Sequence, residues 1–232
     1  MTTRSGGRGV RFGAAALLAL AAFVIVAREP IAPPPAVLFI GNSFTFQHDV
    51  PGRVARLAAE EDAEIKVVTL AKGGARLSEH LADRQVMRTL AAADWAAVVL
   101  QDFSLTAASP SRAAAGAEAA AALAAAAPPQ ATVVLFVPWP RARRHPYYRR
   151  TPEGDLRRFV TPSVLAKVQL RHAEAIAAEI GAVVAPVGPA FVASANGDAA
   201  LYAEDLYHAS PAGADRAAEI LWATLRPRLA AR

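Results

Sequence analysis

The sequence predicts an α/β domain built on a parallel sheet with helices covering both faces. Two observations predict it. From Val37 onward, short β-branched runs alternate with longer stretches of helical spacing. Strands that alternate with helices pair in parallel and carry those helices on both faces. The chain also has 232 residues, 54% of them hydrophobic, enough for one ordinary domain with a sizeable core plus a short appendage.

Each element has its own signal. Residues 37–40 form a short apolar run ended by Gly41, which reads as a buried strand. Residues 50–61 carry Val54, Leu57 and Ala58 at helical spacing. Residues 65–70 are β-branched and strand-like, and 77–93 repeat apolar positions at Leu81, Val86 and Leu90 as a helix does. The third strand is 95–100. The Ala-rich helix 111–127 follows, because Ala loses no side-chain entropy there, and Pro128-Pro129 stops it. Residues 132–137 give a fourth strand and 182–187 a fifth, separated by a helix over 162–180 that Gly181 ends. A terminal helix over 209–229 is entered through Ser210-Pro211. Between residues 138 and 161 the pattern breaks into a stretch rich in Pro and Arg, which reads as a loop or small lid. Its plainest reading is a solvated face. The functional one is a lid that recruits anionic substrate or leans on anionic lipid headgroups. Trp139, Tyr147 and Tyr148 beside it could stack on a sugar ring or line an acyl pocket.

Composition excludes several classes of function. There is no cysteine, so disulfides, thiolate catalysis and Cys-based zinc sites are out. Five histidines lie scattered without HExxH spacing, so no metal site is expected, and nothing points to a cofactor. His80, early in a helix, reads as packing or capping. The net charge is +5, but Arg4, Arg8 and Arg11 supply three of those charges ahead of the domain, so nucleic acid is not an expected partner. Gly73-Gly74 lacks the Lys-Ser/Thr of a phosphate-binding loop.

Residues 1–36 read as a targeting segment. Residues 1–12 are polar and basic, and 13–27 are apolar and uncharged. A Pro-rich spacer with Pro30, Pro33, Pro34 and Pro35 comes next. This is the form of a secretory signal. The segment is either cleaved or retained as a signal anchor, and the domain of residues 37–232 is expected outside the cytoplasm, periplasmic, extracellular or held at the membrane by that segment.

The chemistry-bearing residues stand far apart in sequence. Asp205 and His208 are three apart in LYAEDLYHASPAGA, and Ser43 follows the first apolar run in FIGNSFT. An acid and a base that can meet on one turn, together with a serine at a strand end, are the parts of a nucleophilic hydrolase. Ser43, Gly73, Gly74 and Gln101 all fall just after predicted strands, and in parallel sheets the site lies at the strands' carboxyl ends.

The strings Gly41-Asn42-Ser43 and Asp205-Leu206-Tyr207-His208 resemble the first and last blocks of the SGNH, or GDSL-like, hydrolase superfamily, in a branch with Asn in the first block. The resemblance runs from about Val37 to the C-terminus. It implies a three-layer α/β/α sandwich on a five-stranded parallel sheet and hydrolysis of esters or related acyl bonds. Carried over by residue, Ser43 is the nucleophile, His208 its base and Asp205 the group that orients His208. The second block, AKGGARL, offers Gly74, or else Gly73, to the oxyanion hole. The third block departs from the family's Gly-x-Asn-Asp, reading Gln101-Asp102-Phe103-Ser104. Gln101 is then the candidate side-chain oxyanion donor, with Asn42 a second candidate or a brace of the turn. The expected substrate is a small-molecule or glycan ester, with an O-acetylated carbohydrate as one case. A lipase or thioesterase, and a catalytically silent, membrane-tethered binding module of the same fold, are the alternatives.

Overall fold

A computed structural model describes Thr2 and residues 33–148, 161–194 and 199–231. The chain divides into Met1–Pro33 and Pro34–Arg232, and the second part holds every described strand and helix. Apart from Thr2 and residues 33–36, the targeting segment lies outside the described residues, as do residues 149–160 of the Arg- and Pro-rich stretch.

Five parallel strands form one sheet in the order β2-β1-β3-β4-β5. They are β1 (Ala36–Gly41), β2 (Lys66–Ala71), β3 (Trp95–Leu100), β4 (Thr132–Phe136) and β5 (Val183–Ala185). Between and after them run α1 (Ser43–Phe46), α2 (Val50–Glu60), α3 (Leu77–Ala82), α4 (Arg84–Ala91), α5 (Pro110–Ala126), α6 (Pro162–Ile180), α7 (Val187–Ser194) and α8 (Pro211–Leu229).

Side chains alternate across a strand, so β1, β3 and β4 feed two separate cores. Val37, Phe39, Val99, Val134 and Phe136 pack with Val54 of α2 and Leu221 and Leu225 of α8. Leu38, Ile40, Val98, Leu100 and Leu135 point the other way, onto Leu90 of α4, Leu123 of α5 and Ile176 of α6. The outcome is a three-layer α/β/α sandwich with a five-stranded parallel sheet. Burying each such apolar side chain stabilises the fold by about 1.5–3 kcal/mol.

Two elements differ from expectation. The helix expected over 77–93 is two, because Asp83 adopts an extended backbone (φ −83°, ψ 114°) and its carboxylate caps α4, accepting from the Gln85 N–H at 2.7 Å. The strand expected over 182–187 stops at Ala185. Pro186 has no N–H for the ladder and suits a helix start, so Val187 opens α7 instead.

Register sets the functional edge. Ile40 pairs with Leu70 on one side and Leu100 on the other. The chain segments after these strands, bearing Ser43, Gly73-Gly74 and Gln101, therefore leave the sheet at one carboxyl-end edge.

Candidate active site

Ser43 is the first residue of α1, one step past Asn42, the helix cap. Asn42 Oδ1 accepts the Phe44 N–H at 3.1 Å, and its Nδ2 donates to the Ala75 carbonyl at 3.0 Å, tying this turn to the glycine loop after β2. His80 Nε2 lies 2.7 Å from the Gly41 carbonyl in a buried position, which makes His80 a brace of the β1 end. Gly41 has to be glycine. A Cβ there would stand 2.3 Å from Thr45 Oγ1 and 2.8 Å from Gln101 Oε1.

Asp205 and His208 arrive on the loop between a short helical turn at Ala199–Leu201 and α8, closed by an antiparallel bridge between Tyr202 and Ala209. Leu206 between them holds φ 60°, a left-handed conformation that bulky side chains disfavour. The loop keeps it because the Leu206 N–H donates to the Ala203 carbonyl and the Leu206 carbonyl accepts from Ala142 N–H at 2.8 Å. That strained turn brings the pair together. Asp205 Oδ1 accepts the N–H groups of Tyr207 and His208, both at 2.9 Å, and Oδ2 lies 2.6 Å from His208 Nδ1. Across the edge, His208 Nε2 lies 2.9 Å from Ser43 Oγ.

Burial pushes the Asp205 carboxyl up. The bond from the His208 ring and the two backbone N–H bonds outweigh that and leave it below the usual carboxylate range. An ionised Asp205 only accepts, so the His208 proton sits on Nδ1 and Nε2 is free to accept from the Ser43 hydroxyl. The three side chains thus form one continuous hydrogen-bonded chain ending on a buried hydroxyl (Ser43 is 8% exposed).

No protein-family model and no curated protein sequence matches the chain. Solved structures do. One is a protein assigned as an SGNH hydrolase from Slackia heliotrinireducens, 31% identical over 83% of this chain and 99% of its own, with TM-score 0.67. The chain belongs to the SGNH hydrolase superfamily. The fold is also shared with TesA (22% identity, 83% of this chain and 99% of that one, TM-score 0.59) and with a lipase/acylhydrolase from Enterococcus faecalis (17%, 84% and 96%, TM-score 0.62). These two share the fold alone, and the Slackia heliotrinireducens neighbour supports a hydrolase.

In this SGNH hydrolase the third block is turned inward. Gln101 is 1% exposed. Its Oε1 accepts from the Asn42 N–H at 2.9 Å and the Thr45 hydroxyl at 3.0 Å, while its Nε2 donates to the Asp102 carbonyl. A backbone N–H can only donate and a carbonyl can only accept, so the amide's orientation is fixed. Gln101 therefore braces the serine turn through Oε1 and one Nε2 hydrogen, and only the second Nε2 hydrogen could serve the expected oxyanion contact. Asn42 is likewise engaged as a brace. Gly73 and Gly74 remain, both exposed, in a turn closed by Ala75 N–H donating to the Lys72 carbonyl. Gly74 holds φ +71°, which a side chain would strain.

The aromatics also sort differently. Trp139 is 1% exposed, stacked between Phe44 at 4.3 Å and Phe191 at 4.8 Å, with its indole N–H donating to the Tyr207 carbonyl. It is core, so the expectation that it meets a sugar ring is corrected. Tyr207, which sequence reasoning passed over, lies beside His208 with ring centroids 4.6 Å apart, and its hydroxyl sits 3.2 Å from Ser104 Oγ. Its place next to His208 in the sequence was the signal. An apolar cavity of about 60 Å³ lies between the β3 and β4 ends, α5 and α6, lined by Leu77, Phe103, Gln169 and His172 among others, but Ser43 and His208 do not line it. Among the described residues no cluster of three His, Asp or Glu side chains could hold a metal ion.

Proposed function

We propose that this SGNH hydrolase is a serine esterase that works through an acyl-enzyme. The Ser43–His208–Asp205 relay carries the reading. A serine hydroxyl is a weak nucleophile at neutral pH and needs a base to take its proton as it attacks. His208 Nε2 accepts that proton while Ser43 Oγ bonds to the ester carbonyl carbon. Asp205 holds the ring and stabilises the imidazolium. The carbonyl oxygen, now carrying negative charge, is received by backbone N–H groups. Gly74 in the turn after β2 supplies one, and Ser43 the other, since the first N–H groups of a helix lack intrahelical partners. The carbon–alkoxy bond then breaks and His208 returns its proton to the departing alcohol. Water repeats the sequence in reverse: it gives a proton to His208, its oxygen bonds to the acyl carbon, and Ser43 leaves as the hydroxyl.

The test is covalent labelling with a fluorophosphonate together with an ester panel holding short acyl, long acyl, thioester and O-acetyl-sugar substrates. The wild type is expected to label and to hydrolyse at least one member, with both lost in Ser43→Ala. Loss of one triad member typically costs about 10⁴-fold or more in turnover. A folded wild type that neither labels nor turns over any ester overturns the reading in favour of the silent binding module. The panel member preferred names the substrate class.

A further inference from the structure

The segment after β4 runs alongside the Asp205–His208 loop. Tyr202 Oη donates to the Pro140 carbonyl, Trp139 Nε1 to the Tyr207 carbonyl and Ala142 N–H to the Leu206 carbonyl. Arg141 lies in the middle of these contacts. Its guanidinium carbon stands 4.4 Å over the Tyr207 ring and 5.0 Å over the Tyr147 ring. It is therefore one aromatic ring away from the His208 imidazole.

Among the described residues, charge and bonding at Arg141 are incomplete. The side chain is half-buried, its Nη1 is enclosed with no hydrogen-bond partner, and among the described residues no carboxylate pairs with it. A guanidinium held against two aromatic faces is well placed and partly desolvated, which strengthens its attraction for an anion. Its surroundings add positive charge. Arg143 and Arg144 follow it, exposed, and Arg76 lies 5.8 Å over Phe103 on the far side of the β3 loop. The acid on that loop, Asp102, already accepts from the Leu77 and Phe103 N–H groups, and burial pushes its carboxyl up.

We infer that Arg141 is a specificity-determining residue that recognises a carboxylate or phosphate on the substrate, so that the preferred substrate is an ester bearing a second, anionic group. This rests on the esterase reading of the Ser43 relay. The planar fork of Arg141 pairs with either anion, while Tyr207 holds the fork at a fixed distance from the reacting ester.

The test separates binding from turnover. In full-length Ser43→Ala, a ligand-observed NMR titration compares monoethyl succinate, ethyl phosphate and neutral diethyl succinate. At least one anionic ligand is expected to bind about tenfold tighter than the neutral one, as a charge-assisted bond implies. Adding Arg141→Met removes that preference and leaves diethyl succinate binding unchanged, while Arg141→Lys keeps part of it. In the active chain, kcat/KM for 4-nitrophenyl hemisuccinate over 4-nitrophenyl butyrate falls by a similar factor on Arg141→Met. Equal binding of anionic and neutral ligands, or a preference that survives Arg141→Met, overturns the assignment. Whichever anion binds tighter supports the site and names the group. Failure of fluorophosphonate labelling with the preference intact sinks the esterase reading alone; labelling without the preference sinks Arg141 alone.

Discussion

Gln101 shows how one side chain converts a strand end into a stable turn. Its amide joins Asn42 N–H, the Thr45 hydroxyl and the Asp102 carbonyl in a place closed to water. Gln101→Ala leaves two donors without their acceptor. An unsatisfied buried donor costs about 1–3 kcal/mol, so the variant is expected to melt lower and also to turn over more slowly, because Ser43 rides on the loosened turn. A pure oxyanion donor would behave otherwise, losing kcat at unchanged Tm, and that pairing of results in calorimetry and ester kinetics would overturn the bracing role. The residue scale also shows where sequence reading stops. Ser43, Asp205 and His208 could be read because their types and spacing already limit their chemistry. Gln101 was found at the right strand end, but an amide presents both a donor and an acceptor. Which end faces the turn is set by neighbours from residues 42, 45 and 102, and no local pattern reveals that. Arg141 was visible only as one of several arginines, since its stacking on Tyr207 depends on two loops distant in sequence.

At the scale of elements, the alternation of strands and helices was legible because burial on both faces of a parallel sheet demands near-continuous apolar strands. The observed β3, Trp95–Leu100, coincides with the expected run because all six of its residues are buried. The misread elements fail for local reasons. Leu81, Val86 and Leu90 keep helical spacing across a break at Asp83, since α3 and α4 both pack toward the same core. Periodicity alone therefore fuses them, although Asp followed by a helix is a capping signal. The cap should be measurable. Asp83→Ala removes the acceptor for the Gln85 and Val86 N–H groups at the start of α4, a loss of about 1 kcal/mol. Chemical denaturation is expected to show that loss at an unchanged m-value with ester turnover intact, because α4 lines no part of the Ser43 turn. Wild-type stability in this variant would mean that the break is held by packing instead. At β5 the error has the opposite origin. Val183, Val184 and Val187 look alike to a propensity scale, and Pro186 between them decides where the ladder ends.

For the whole molecule, the open matter is where the hydrolase works. The edge bearing Ser43 meets only the substrates of the compartment in which the domain resides. We propose that residues 1–36 carry the domain out of the cytoplasm. Arg4, Arg8 and Arg11 precede an uncharged run of 15 residues, 13–27, with no acid among residues 1–27. Basic residues before an apolar run hold the N-terminus on the cytoplasmic side during insertion. The run is shorter than the roughly 20 residues of a relaxed membrane span, so cleavage and anchoring predict different products from one starting point. Expression of the full chain in a bacterial host, followed by fractionation and intact-mass measurement, reads both. A soluble exported product lacking about the first 27 residues marks a cleaved signal, whereas an uncut chain in the membrane fraction marks an anchor. Replacing the three arginines by Glu is expected to block either outcome, since the charge asymmetry that orients insertion is then reversed. An uncut wild-type chain in the cytosolic fraction would overturn export, and the search for the anionic ester would then turn to cytoplasmic substrates.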